Sequence, residues 1–370
     1  MSGEKYGFFY MKTGAGHYSG AKSIAEKVKA LNPDIDCVMC DGLEGVSFLT
    51  KLWLEIGYSA SINYLPAAYL LFYHTTYFRF VQTLLLKILS PSNSILMRKK
   101  IRKEKFTKII STHEILTPEL VRICKELRLD IPVVEIVMDP FTAHPIWFYE
   151  KNTDVVVFSK YLKNVAIQKH KVAPEKVFLA SPIFSEKFSD TLSIEKKQEV
   201  KSRLSIPLDE KIILIAGGGD GLKNAHEIVK YFLDMKIDAY IIVVCGKNKE
   251  LLKKIEATVR KYNRPKILVF GFVNIMYELM QISDCIITKG GPGIIMEALS
   301  SQKPLIISSF VRYQEWGNLF FVKQNNCGWY LKKVNDIYKK VLEVLKEEKK
   351  INVDIKNGIA DVANFIMNIS

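Results

Sequence analysis

The sequence predicts an α/β protein made of two Rossmann-like, doubly wound parallel-sheet domains. Three observations carry this reading. Short apolar runs alternate with helical segments along most of the chain, the pattern of parallel strands joined by crossover helices. Both halves open alike, with a strand that meets a glycine turn and then a helix. The 370 residues, 48% hydrophobic and 25% charged, exceed what one ordinary core spans and exclude a disordered chain.

The elements follow in order. Tyr6–Met11 is the first strand, Gly14–Gly16 a turn, and Gly20–Leu31 a helix stopped by Asn32-Pro33. Ile35–Cys40 is the second strand. A helical insertion over 43–106 then interrupts the alternation. Strands resume at Lys108–Ser111, Pro132–Met138, Asp154–Phe158 and Lys176–Leu179. The polar stretch from Ser181 to Arg203 reads as a linker, so the expected domains are 1–190 and 191–350. The second half restarts at Lys211–Ala216, meets Gly217–Gly221, and continues through Ala239–Val244, Lys266–Phe270, Cys285–Thr288 and Pro304–Ser308. Pro292–Ser300 is a helix, and 351–370 holds a last one.

Charge narrows the partners. The chain carries a net +14, and the segment from Leu43 to Lys108 holds ten lysines and arginines against three acids. An anionic partner is expected: nucleic acid, an acidic membrane or a phosphorylated ligand. No nucleic-acid motif accompanies the basic residues, so nucleic acid is not the expected partner. Ile56–Phe78 contains no charged residue, but Ser59, Ser61, Asn63, Pro66 and His74 argue against a membrane span. Two readings remain for the stretch: a helix lying in the membrane interface, or a helical insertion with an apolar core side and a solvated basic side. Six scattered cysteines exclude a disulfide scaffold, and the Cys37/Cys40 pair has no second pair to complete a zinc site. The short apolar run Tyr6–Tyr10 is not a signal peptide, so a reduced, cytosol-facing protein is expected.

Three constellations carry chemistry. Gly14-Ala-Gly16-His17 follows a strand and opens a helix, where free amides face an anion. Asp41, ending the second strand, would suit a dinucleotide ribose, but Ser19 replaces the third glycine of that fingerprint. A neutral His17 at a strand's C-terminal end can take a proton from a hydroxyl nucleophile; the alternative is a histidine that only braces the loop. Asp139-Pro140 and His144-Pro145, beside Trp147 and Phe148, suit an acceptor pocket, polar at one point and apolar around it; equally, the aromatics are core and Asp139 caps a turn. His113 ends another strand and lines the same side; His74, His170 and His226 read as structural or exposed. The third constellation is Lys289-Gly290-Gly291-Pro292-Gly293, where glycines and a helix start suit a diphosphate. Glu297 lies one turn further, placed to accept bonds from ribose hydroxyls. Gln314, Glu315 and Asn318, on a helix face or the loop entering it, suit sugar hydroxyls.

These motifs, with Gly217-Gly218-Gly219-Asp-Gly221 and Gly271-Phe272-Val273, together resemble the monogalactosyldiacylglycerol synthase group of glycosyltransferases. That group is related to the processive diacylglycerol glucosyltransferases. The resemblance runs in order across nearly the whole chain. It implies the GT-B fold, two such domains facing a central cleft, with the last helix crossing back over the first. It also implies inverting transfer of a hexose, galactose before glucose, from a UDP-sugar to a membrane lipid hydroxyl such as that of 1,2-diacylglycerol. Carried over by position, His17 is the base, and Asp139, His144 and His113 lie on the acceptor side. Phe272 and Val273 read uracil by their backbone, Glu297 the ribose, and Gln314, Glu315 and Asn318 the sugar. Gly16, Gly217, Gly218, Gly219, Lys289, Gly290, Gly291 and Gly293 approach the donor. No metal or other cofactor is expected. The protein would sit peripherally on the cytoplasmic side of the cell membrane, drawn by anionic lipids. Asp34-Ile-Asp36 reads as a chance match to a metal pattern. The competing readings are a UDP-sugar epimerase on the same fold, a non-catalytic nucleotide- or lipid-binding protein, and a dinucleotide oxidoreductase.

Overall fold

The computed structural model describes residues 3–12, 15–44, 65–264, 266–347, 351, 353 and 355–369. Gly14 and the uncharged stretch as far as Tyr64 lie outside the described residues. The chain forms two units, Met1–Ile183 with Asn357–Ser370, and Phe184–Lys356. The first unit thus ends before the expected boundary at 190. The stretch read as a linker is partly helical: Ile194–Arg203 is a helix, and Ser193 Oγ accepts the Lys196 N–H at its start.

The first unit holds β1 (Lys5–Tyr10), β2 (Asp36–Asp41), β3 (Lys108–Ser111), β4 (Val133–Ile136), β5 (Asp154–Val157) and β6 (Val177–Leu179). They form one parallel sheet in the order β2-β1-β3-β4-β5-β6. Alternate residues of β1 feed opposite cores, as the period of a strand requires. Tyr6, Phe8 and Tyr10 pack with Ile24, Ala25 and Val28 of the helix Ala15–Leu31. Phe9 and Met11 pack with Met97, Ile101, Phe106 and Leu120 on the other face. The helix Ile359–Asn368 presents Ile359, Val362, Ala363 and Ile366 to the first of these cores, a spacing that puts all four on one stripe. Buried Lys108 caps that helix from β3: its Nζ donates to the carbonyls of Ile366 and Met367 at 3.0 and 2.6 Å.

Between β2 and β3 lie the helices Pro66–Thr75 and Arg79–Glu104. Their inner faces bury Tyr69, Tyr73, Met97 and Ile101. On the longer helix Phe80, Leu84, Ile88 and Ile95 share one side and are exposed, beside exposed Leu71, Phe72 and Phe78. Lys87, Lys99, Arg102 and Lys103 are exposed as well. No described helix is long and apolar enough to cross a membrane.

The second unit holds β7 (Ile212–Ala216), β8 (Tyr240–Val244), β9 (Ile267–Phe270), β10 (Cys285–Lys289), β11 (Leu305–Ser309) and β12 (Gly328–Tyr330). The order is β12-β11-β10-β7-β8-β9, again parallel throughout. Both sheets are doubly wound, as the alternation predicts. Each reverses its winding once, between β1 and β3 and between β7 and β10. At such a switch point the loops leaving the two strands diverge and open a crevice at their C-terminal ends.

Candidate active site

In the first unit the switch point brings His17 to the end of β3. The helix starts at Ala15 rather than at the expected Gly20, so His17 sits in its first turn. Its Nδ1 lies 2.5 Å from the Thr112 carbonyl. A carbonyl only accepts, so Nδ1 carries a proton, and in the neutral ring the lone pair is on Nε2. Thr112 is held in turn: its Oγ1 donates to the His17 carbonyl at 3.0 Å and its N–H to Phe9 across the sheet. Gly16, exposed beside it, has open space where a side chain would project.

Two buried rings flank His17. His113 lies 4.5 Å away between centroids, and Trp147 stacks at 6.2 Å. Burial, then the nearby His17, hold His113 well below the usual imidazole range and keep it neutral. Its Nδ1 accepts the Ile115 N–H at 3.3 Å and lies 3.4 Å from Glu114 Oε2. His17, His113 and Glu114 are the one grouping of metal-ligand type among the described residues, their donor atoms within 4.8 Å of one another.

Asp139 and His144 are brought to this region in unequal ways. Half-buried Asp139 accepts the Trp147 indole N–H at 3.1 Å, which fixes the ring beside His17. His144 points away: Nδ1 accepts the Ile146 N–H, and Nε2 meets the Tyr73 carbonyl and Thr76 Oγ1, each at 3.2 Å. Tyr73 and Tyr77 stand edge-on to its ring, and burial lowers its pKa. It fastens the loop after β4 to the helix Pro66–Thr75. Asp41 pairs with Lys12 at 3.2 Å and accepts the Leu43 N–H, so it is engaged within its own loop.

In the second unit four loops gather at the C-terminal ends of β7, β8, β9 and β10. Gly217 admits no side chain, because a Cβ would stand 2.2 Å from the Gly221 carbonyl oxygen. Gly246, at φ 60°, abuts Gly219 just as closely, and the Lys247 N–H donates to that Gly219 carbonyl. Phe272 is exposed, with Lys247 Nζ 5.9 Å from its ring; Val273 is half-buried beside it. Across the switch point, Lys289 leans over both glycine turns: its Cε is 3.2 Å from where a Gly291 Cβ would stand and 3.8 Å from that of Gly218. Gly219 lies in the same turn as Gly218. Gly293, on the first turn of the helix Pro292–Ser300, faces open space.

Glu297 sits on that helix, and burial pushes its carboxyl up to about 7. Gln314 and Glu315 lie in the turn before the helix Trp316–Gln324, and Asn318 is within it. Glu315 and Asn318 are buried and face the glycine turn: Glu315 Oε2 accepts the Val311 N–H at 2.7 Å, and Asn318 Nδ2 donates to the Gly290 carbonyl at 2.8 Å. Burial raises the Glu315 pKa, with Lys289 opposing. These two residues brace the turn; half-buried Gln314 lies nearer the surface. Sequence reasoning did not single out Thr112 or Lys247. Thr112 acts through a backbone carbonyl, which no residue type encodes. Lys247 was legible as the strand-glycine step Cys245-Gly246-Lys247.

Comparison with known proteins follows the same division. A family model for monogalactosyldiacylglycerol (MGDG) synthase matches residues 17–180, and one for the glycosyltransferase family 28 C-terminal domain matches residues 212–366. A probable chloroplastic monogalactosyldiacylglycerol synthase of Glycine max is 31% identical over 244 residues, 64% of this chain and 45% of that protein. A processive diacylglycerol beta-glucosyltransferase of Bacillus cereus is 27% identical over 348 residues, 91% of this chain and 84% of that one. The chain thus spans less than half the length of the plant relative and most of the bacterial one. Among solved structures, MurG of Acinetobacter baumannii aligns with a TM-score of 0.62 at 13% identity, covering 99% of this chain and 100% of that one. UGT71G1 of Medicago truncatula, complexed with UDP-glucose, aligns at 0.60 and 11%, covering 99% of both. Those likenesses concern the fold. The sequence matches divide as the two units do: residues 17–180 are similar to monogalactosyldiacylglycerol synthases and residues 212–366 to glycosyltransferase family 28 C-terminal domains, and the chain has the GT-B fold.

Proposed function

We propose that the chain transfers a hexose from a UDP-sugar to the free hydroxyl of diacylglycerol at a membrane surface, with inversion at the anomeric carbon. The observation that carries this is the His17–Thr112 hydrogen bond, which leaves a basic Nε2 at the first unit's switch point. In the reaction Nε2 takes the hydroxyl proton as the oxygen bonds to the anomeric carbon. The bond from that carbon to the diphosphate oxygen breaks, and UDP leaves with the added charge. Asp139 acts through Trp147, holding the indole against the imidazole, while neutral His113 adds no charge beside an imidazolium.

The second unit would hold the donor. Lys289 and the amides opening the helix Pro292–Ser300 supply positive charge to the departing diphosphate, the role a metal ion fills elsewhere. Phe272 and Val273 would face the uracil, Glu297 the ribose, and Gln314 the hexose, for which galactose is favoured over glucose. The apolar stripe of the helix Arg79–Glu104, with exposed Lys87, Lys99, Arg102 and Lys103 nearby, suits the headgroup layer of an anionic bilayer. That surface supports a peripheral attachment to the membrane, and the cytoplasmic face is part of the same proposal.

The test is direct. Purified protein is mixed with radiolabelled UDP-galactose or UDP-glucose and diacylglycerol in anionic vesicles, and the extracted lipid is identified. A monohexosyl product is expected. His17→Ala should lower the rate by about 10²–10⁴-fold while leaving UDP affinity in place; normal turnover would rule out the base assignment.

A further inference from the structure

We infer that the second unit carries its own bilayer-facing surface, an exposed aromatic and basic patch within the segment from Phe310 to Lys333 that docks on an anionic lipid surface. The inference rests on the lipid-acting reading for the nature of the surface; its exposed rings Trp316, Phe320 and Tyr330 are none of the residues assigned to the donor or acceptor, although Phe310 also abuts Gly290, and all lie outside the insertion between β2 and β3.

The patch is built on the outer side of the helix Trp316–Gln324. Its inner side buries Gly317, Asn318 and Val322. Trp316, Phe320 and Lys323, spaced by four and three, share the opposite side. Trp316 and Phe320 are 58% and 61% exposed. Phe310 stands edge-on to Trp316 at 6.2 Å and to Tyr330 at 5.1 Å, so strand ends and helix join in one cluster. Tyr330 is 44% exposed on β12, the edge strand of the sheet. Tyr313, 40% exposed, is held at φ 67°, a left-handed conformation that a bulky residue rarely adopts.

Charge identifies the occupant. Arg312, Lys323, Lys332 and Lys333 are exposed around these rings. Glu315 is the one acid in the segment, and it is buried with its carboxylate on the Val311 amide. Within the segment the exposed residues are therefore cationic and aromatic, and exposed Asp336 follows just after Lys333. A second copy of this chain, at +14, is a poor electrostatic match. An anionic headgroup layer meets both demands, since tryptophan and tyrosine settle at that depth and lysine and arginine are drawn to its charge. The exposed side of the helix Arg79–Glu104 likewise sets apolar side chains, mainly aliphatic, beside lysines and arginines, so each unit would reach the bilayer by its own surface.

The test uses the full chain with an environment-sensitive fluorophore on F320C, an exposed position among native cysteines that are buried or half-buried. On vesicles of equimolar phosphatidylcholine and phosphatidylglycerol the emission should shift to the blue, with little shift on phosphatidylcholine alone. Trp316→Ala with Phe320→Ala should weaken sedimentation with anionic vesicles roughly tenfold and leave UDP-glucose binding unchanged. An unshifted label on protein that does sediment with the vesicles would overturn the inference, as would a concentration-dependent shift without lipid, which points to a second copy. A blue shift with no glycolipid formed would sink the proposed transfer while leaving the surface standing.

Discussion

At the scale of single residues, the candidate base is defined less by its own identity than by a main-chain carbonyl. The Thr112 oxygen selects the tautomer of His17, and Trp147, anchored on Asp139, limits where the ring can turn. Glu297 makes a second testable case. Its carboxyl is raised to about 7, so folding favours the protonated acid. The sign follows: the group costs the fold nothing below the unfolded value near 4.5, costs progressively more as pH rises toward 7, and levels off above it. Glu297→Gln should therefore gain more melting temperature at pH above 7 than at low pH. If the carboxylate accepts the ribose hydroxyls, UDP-glucose affinity should climb as pH passes through 7 and become flat in the glutamine variant, as calorimetry would show. The places of His17 and Glu297 on helices that follow a strand and a glycine turn were legible in the sequence. The inward turn of Glu315 and Asn318 was not, since nothing in their spacing tells a carboxylate facing solvent from one bonded to the adjacent backbone.

At the scale of elements, long and strongly patterned segments were readable, and short or context-dependent ones were not. β7, β8 and β10 stand out as apolar runs bounded by glycine or polar turns. β12 has three residues, too few to show a period, and its pairing with β11 is a tertiary effect. The helix Ile194–Arg203 hides in a charged stretch because only Val200 among its residues is buried. Two elements invite direct tests. Gly246→Ala would force a Cβ to 2.2 Å from the Gly219 oxygen at a positive φ, displacing the glycine turn. A loss of about 1–3 kcal/mol in denaturant unfolding is expected, together with weaker UDP-glucose binding. Lys108→Met would leave the last carbonyls of the helix Ile359–Asn368 without their donor, again about 1–3 kcal/mol. Faster amide hydrogen exchange confined to that helix would check it; unchanged protection would show that apolar packing alone retains the helix.

At the scale of the whole molecule, both double windings were legible because alternation and glycine turns recur along the chain, whereas which segments share a unit was set by packing. Net charge gives the clearest global expectation. At +14, with exposed lysines and arginines beside apolar stripes, vesicle association should weaken steadily with added salt. The screening length falls from about 10 Å at 0.1 M to about 3 Å at 1 M, and the apolar contribution should survive as a salt-resistant remainder in sedimentation. The division of the chain also has a temporal consequence. The core around Tyr6, Phe8 and Ile24 includes Ile359, Val362 and Ile366, which leave the ribosome only after all of the second unit has been made. Translation proceeds at about 5–20 residues per second, so a nascent front half waits many seconds with an apolar flank uncovered. The rear half, continuous in sequence, can close first, and a ribosome stalled before codon 357 would release a chain whose opening sheet is a ready substrate for chaperones.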